Sequence, residues 1–257
     1  MKKLSTLLMM ILAMGLYANN IQVSNAILVD QNTTNKTTMV KFDLSWENSW
    51  RTSSLENNWD AAWVFVKYKS INSIYWRHAY LNNTWHILPS GAAIEIGLEI
   101  TNQAHNLNTN PAVGAMIFRD SDGISNVNFE EIQLQWHYGS NGLGDEDSVQ
   151  ICVYAIEMVY IPEGAFSVGD NGTFTSNFIR SGNTTNPFLI TSEAQLQTST
   201  TDPARINVPG VNTNTTIPAN FPKGFQAFYA MKYEISQGLY KEFLNKLNRQ
   251  QQWSSTL

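Results

Sequence analysis

Asp60, His78 and His86 are the side chains whose types best suit a bound transition metal, because imidazole and carboxylate are its usual nitrogen and oxygen donors. Their spacing fits no helical or hairpin ligand motif, so no metal centre is expected from them. Asp120-Ser121-Asp122-Gly123 opens like a calcium loop, with Glu130 and Glu131 further on. Calcium needs about six to eight oxygens, and Ser125 and Val127 supply no third acid at the offsets of a helix-loop-helix site. A hairpin turn with Gly123 at positive φ is the expected structure. Asp145-Glu146-Asp147 reads as a solvated acidic loop. Cys152 is the sole cysteine and cannot form an intramolecular disulfide; within an alternating strand it is expected to be a small buried apolar group. No catalytic, cofactor-binding or metal-binding residue is therefore assigned.

Tryptophan offers a different chemistry. Trp46, Trp50, Trp59, Trp63, Trp76 and Trp85 crowd one part of the chain, and an exposed indole can stack on a sugar ring. Trp46 and Trp63 sit in strand patterns whose alternate side chains point inward, which favours a core role for them. Trp50-Arg51 and Trp76-Arg77-His78 suit structural cation–π pairs. Sequons such as Asn82-Asn83-Thr84 follow from a composition rich in Asn and Thr.

These residues sit on strands. Val40–Trp46 alternates apolar with polar, as a half-buried strand does. Ala62–Tyr68 is nearly continuous and reads as a central strand covered on both faces. Ala92–Leu98, Val113–Phe118, Glu131–Trp136 and Ser148–Ala155 follow. Pro89-Ser90-Gly91, Asn110-Pro111, Asp120–Gly123 and the glycine-rich run 139–144 punctuate them. No sustained helical period occurs between 19 and 156, so a β-sandwich domain is expected there.

A second region runs from 157 to 257. Met158–Phe166 alternates as a strand, with Pro162 at an edge or a strand end. Residues 170–223 are rich in Thr, Asn, Ser, Gly and Pro and read as an irregular insertion with one or two short strands. Phe225–Met231 reads as a strand. Ser236 suits an N-cap for a helix from about Gln237, whose apolar stripe is Leu239, Tyr240, Phe243, Leu244 and Leu247.

Two segments of this region, Met158-Val159-Tyr160-Ile161-Pro162-Glu163-Gly164-Ala165-Phe166-Ser167-Val168-Gly169 and Phe228–Leu244, together resemble the opening of a formylglycine-generating (sulfatase-modifying-factor) domain. The family's blocks are M-V-x-I-P-x-G-x-F-x-x-G and, after a variable gap, F-x-x-x-K-x-E-[VI]-[ST]-x-x-x-Y-x-x-F. The resemblance implies an irregular α+β domain. It also implies an oxidoreductase ancestry in which a cysteine of a sulfatase is converted to formylglycine, with oxygen and a copper ion held by paired cysteines. Relatives are iron-dependent oxidases, and many are non-catalytic binding domains. Lys232 and Glu234 would be structural or surface groups of the scaffold entry. The family's cysteine pair has no counterpart here, and His78, His86, His105 and His137 all precede the matched region. The expectation is a fragment without the catalytic C-terminal half, so this chain holds no cofactor. Copper or iron enters only if a missing part supplies ligands. A stripe-bearing helix with little chain left to cover it points the same way. The alternative is a secreted carbohydrate-binding or adhesion module carried by the sandwich, with a glycan or cell-surface component as partner.

Composition narrows the setting. Lys2 and Lys3 followed by the mainly apolar Leu4–Leu16 have the build of a signal peptide over 1–18. That run is shorter than the about 20 residues of a membrane span, so a secreted, periplasmic or cell-surface protein with no stable span is expected. Charged residues make up 14% of the chain, against roughly 25% in ordinary soluble domains. The net charge is -5, and no Lys/Arg cluster tracks a phosphate backbone, which argues against nucleic acid.

Overall fold

The computed structural model describes residues 20–98, 111–169, 179–180, 186–208, 210–235 and 237–247. The signal-peptide segment and His105 lie outside them. The protein is mainly β, and its residues divide into two compact units, Met1–Val159 with Met231–Leu257, and Tyr160–Ala230.

The first unit is built on a large antiparallel sheet. Strand β1 (Gln22–Asn32) pairs along one edge of β2 (Thr37–Arg51), and β7 (Gly123–Trp136) pairs along the other. At its far end β2 turns the corner into β3 (Trp59–Ser70), the Arg51–Trp59 pair joining them. Beyond β3 lie β6 (Ala112–Arg119) and β5 (Ala92–Leu98), with the short β4 (Arg77–His78) and the long β8 (Val149–Ile161) also on β3.

The two-residue period of these strands builds the core. Val40, Phe42, Leu44 and Trp46 of β2, Ala62, Val64 and Val66 of β3, and Phe129, Ile132, Leu134 and Trp136 of β7 form one buried cluster. Each large aliphatic so buried contributes about 1.5–3 kcal/mol relative to exposure. Within this layer the Trp46 and Phe129 rings, on the paired strands β2 and β7, meet edge to face at 5.7 Å.

Irregularities are secured by side chains. Glu131 has φ 58° where the β2–β7 register shifts between Phe42 and Leu44. There Asp43 accepts a hydrogen bond from the Glu131 N–H at 2.8 Å, which fastens the extra residue of the bulge. Asn141 holds the glycine-rich connection after β7. Its Oδ1 accepts from Trp136 Nε1 and the Tyr80 N–H, and its Nδ2 donates to the His78 carbonyl.

β3 is covered more deeply on one face than on the other: Ala62, Val64 and Val66 are fully buried, whereas Trp63, Phe65 and Lys67 are half-buried. Trp63 therefore does not enter the core. Its ring lies over Gly97 and Gly114, and a Cβ on Gly114 would meet it at 2.6 Å. Gly123 does not adopt positive φ; it opens β7 opposite Arg51. β1 is a strand that alternation did not reveal, because most of it is exposed and its register shifts twice against β2. β8 is continuous from Val149 to Ile161 and runs across the sequence boundary at 156/157.

In the second unit, β9 (Phe166–Val168) pairs with β11 (Phe188–Ile190), β10 (Ile179–Arg180) with β13 (Ile206–Asn207), and β12 (Leu196–Gln197) with β14 (Thr216–Ile217). The Thr/Asn-rich stretch thus carries more short strands than its composition suggests. Buried Thr198 replaces an apolar core residue locally, its hydroxyl donating to the Asn212 carbonyl at 2.5 Å and accepting from the Thr215 N–H at 3.0 Å. Glu193 gathers the backbone N–H groups of Lys223, Phe225 and Gln226 at 2.6, 2.8 and 3.2 Å.

The strand β15 (Phe228–Met231) pairs with β8, and the helix α1 spans Gln237–Asn245 as its stripe predicts. The capping call at Ser236 lies outside the described residues. Phe243, Leu247 and Ile235 border an apolar groove with Phe65, Tyr154 and Met231. No helix among the described residues is long and apolar enough to cross a membrane.

Candidate functional site

The segment after β4 is stitched to the free edge of β7. Leu81 bridges Trp136 and Ile87 bridges Gln133, with the Asn82 N–H donating to the Gln135 carbonyl at 2.9 Å. Between these anchors His86 uses both ring nitrogens. Its Nε2 donates to the Asn82 carbonyl at 2.9 Å, so Nδ1 is free to accept the Gln135 N–H at 3.1 Å. That pairing selects the neutral Nε2–H tautomer. Burial holds the His86 pKa below its ordinary value, only partly opposed by the hydrogen bond to Asn82.

The anchored segment presents Trp85. Its φ is 69°, a left-handed conformation that a bulky side chain rarely adopts. The indole is 76% exposed. It borders a cleft of about 800 Å³ between the β1–β2 turn and the outer edge of β7. Asp30 and Asn32 of β1, Asn35 of the turn and Thr37 of β2 contribute one wall, and Asn82, Gln135 and His137 the other. Some of these polar groups are spent internally. Asn32 Oδ1 accepts the Asn35 N–H at 2.9 Å, Asn82 Nδ2 donates to Gln135 Oε1, and His137 Nδ1 accepts the Ser140 N–H at 2.9 Å. The Asn35 amide, Gln135 Nε2, His137 Nε2 and the Asp30 carboxylate remain for a ligand. No Lys or Arg lines the cleft.

A second constellation lies inside the first unit. Asp60, fully buried, accepts from Trp46 Nε1 at 2.9 Å, Ser49 Oγ at 2.7 Å, the Trp50 N–H at 3.1 Å and Lys232 Nζ at 2.9 Å. Lys232 Nζ also approaches Glu157 Oε2 at 3.4 Å and lies 4.7 Å from the Trp50 ring centroid. The lysine of the second motif block thereby fastens its segment to β2, β3 and β8. Two carboxylates and an aromatic face meet its charge, which is the character of a structural lock.

The remaining sequence candidates disperse. Asp60 belongs to that lock, while His78 stacks beside Phe65 at 6.0 Å and hydrogen-bonds the Val113 carbonyl, and His86 serves the Trp85 segment. The three do not share partners, and no cluster of three or more His, Cys, Asp or Glu among the described residues could hold a metal. Asp122 accepts from the Ser53 N–H and hydroxyl, which holds its carboxyl below the usual range. Asp145 takes Lys36 Nζ at 2.6 Å and the Tyr138 hydroxyl at 2.6 Å, so the acidic turn is an ion-paired tether, not a free loop. Cys152 is half-buried instead of buried. The cation–π pairs also differ from sequence neighbours. Arg51 lies 4.8 Å from the Trp59 centroid, and Lys246 lies 3.9 Å from that of Trp76.

Asp30, Asn35, Gln135 and His137 were not legible as neighbours of Trp85, since they come from β1, the turn after it and the end of β7, all distant from residue 85 in sequence. The available signal was Trp85 itself, a tryptophan in a polar stretch outside any strand pattern. Lys232 and Glu234 part company: the first is buried and the second exposed. No family model, no curated protein and no solved structure matches the chain.

Proposed function

We propose that residues from 157 onward are the opening of a formylglycine-generating (sulfatase-modifying-factor) domain behind an exported β-sandwich, and that this chain does not itself perform the family's oxidation. One observation carries the reading. The two motif blocks, far apart in sequence, lie side by side as β8 and β15. The Lys232 N–H donates to the Glu157 carbonyl at 3.0 Å, the Gly164 N–H to the Phe225 carbonyl at 3.0 Å, and the Tyr160 and Tyr229 rings meet at 5.3 Å. Blocks that form one scaffold entry have to be neighbours, and unrelated segments have no such need.

The donors here do not fit the family's metal chemistry. A thiolate copper site needs two soft ligands within reach of one ion, and the sequence has one cysteine. His78 and His86 commit ring nitrogens to Val113, Asn82 and Gln135. The ligands, if the native protein has them, belong to sequence outside these 257 residues. Mass spectrometry of the native protein from its source tests this. The expected result is a secreted polypeptide whose additional sequence contains the cysteine pair or clustered histidines. Native protein with further sequence but neither donor set would reduce the reading to a non-catalytic relative. A native polypeptide consisting of these residues alone would remove the oxidase ancestry as an account of its function.

The exposed Trp85 beside a polar cleft favours a second reading for the sandwich, that of a binding module.

A further inference from the structure

We infer that the cleft beside Trp85 binds an uncharged carbohydrate, a pyranose ring stacking on the indole while its hydroxyls bond Asn35, Gln135 and His137. This rests on reading the sandwich as a binding module. Trp85 makes the case by what it lacks. A large apolar side chain normally gains by burial, yet this one is 76% exposed. It also occupies a backbone conformation, φ 69°, that is strained for a non-glycine residue. Neither feature serves the fold. The flanking bridges at Leu81 and Ile87 and both nitrogens of His86 hold the segment in place, so the strain is imposed by ordered neighbours.

The chemistry of the walls selects the ligand. A flat aromatic face suits the C–H face of a sugar, and amide and imidazole groups both donate to and accept from hydroxyls. With no Lys or Arg in the lining, a phosphate, sulfate or uronate would find no counter-charge and would meet Asp30. A cationic ligand would have one exposed carboxylate and one indole, leaving the Asn35, Gln135 and His137 groups without a role.

The test uses the full chain on an array of neutral, sulfated and uronate-bearing glycans, followed by titration calorimetry with the best neutral ligand. Choline and oligolysine serve as cationic controls. Trp85→Ala should weaken binding at least tenfold. Trp85→Gly should do the same while leaving the melting temperature unchanged or higher, because glycine tolerates positive φ. A purely structural Trp85 would instead lower the melting temperature in both variants. Gln135→Leu should weaken binding several-fold, read alongside its own melting temperature. Glycan binding that persists in Trp85→Ala overturns this site while leaving the module reading intact. Binding only to anionic glycans, or only to choline or oligolysine, overturns the ligand class. No binding to any glycan overturns both the site and the module reading.

Discussion

Lys232 Nζ lies 2.9 Å from Asp60 Oδ2, with 9% and 1% of the two side chains exposed, across 172 residues of sequence. Both side chains are largely withdrawn from solvent. Removing one member of a buried pair leaves the other uncompensated, at about 3–5 kcal/mol. Lys232→Ala should therefore lower unfolding stability by that amount in urea denaturation. Asp60→Ala should cost at least as much, since Trp46, Ser49 and Trp50 also lose their acceptor. In the double variant the losses should be clearly less than additive, because one interaction is removed twice. Additive losses would show that the pair is not coupled.

Glu193 should make the second unit acid-sensitive. The backbone N–H of Lys223, with those of Gln226 and Phe225, holds its carboxyl below the ordinary value. A carboxylate with a depressed folded pKa contributes stability that is present above the unfolded value of about 4.3 and is lost as pH falls through the folded one. Glu193→Gln should remove that part of the acid dependence, as read by hydrogen exchange at the amides of 223–226 between neutral and acid pH. An unchanged exchange profile in the variant would contradict the assignment.

His86 has the same sign of pH dependence at a higher pH. Its folded pKa is lowered by burial, so above about 6.5 both folded and unfolded states are neutral and stability is full. Below that value the unfolded chain takes up a proton that the folded ring resists, and stability declines until the folded pKa is reached. NMR titration of the His86 ring should show an acid-shifted midpoint, and loss of the Gln135 amide protection should accompany protonation. A midpoint at the ordinary histidine value would show that the ring is not held as described.

Gly114 should be intolerant of a side chain. Its Cβ would meet Trp63 Cζ2 at 2.6 Å and the Val64 carbonyl oxygen at 2.7 Å. Overpacking of this kind costs about 1–3 kcal/mol, so Gly114→Ala should lower the melting temperature. Trp63→Ala should not fully rescue it, because the backbone oxygen of Val64 stays in place. Full rescue would show that the indole alone sets the constraint.

How far the residues alone could be read follows from the range of each interaction. The strands at Val40–Trp46 and Ala92–Leu98 were legible, because a period of two is a local pattern. The helix over Gln237–Asn245 was equally legible from its stripe. β1 was not, since an exposed edge strand with two register shifts carries no alternation to detect. Trp63 was placed on the wrong face because alternation gives two faces without saying which is inner, and the space over Gly97 and Gly114 decided it.

Sequence by itself determined the β character and the presence of a single thiol, properties of residue identity and short spacing. Only the tertiary structure decided that Asp60 meets Lys232 and not a histidine, and that Trp85 stands beside Asn35, Gln135 and His137. Those relations join residues on separate strands and loops, which strand pairing brings together, and strand pairing is set by burial of a common core that no local window of sequence contains.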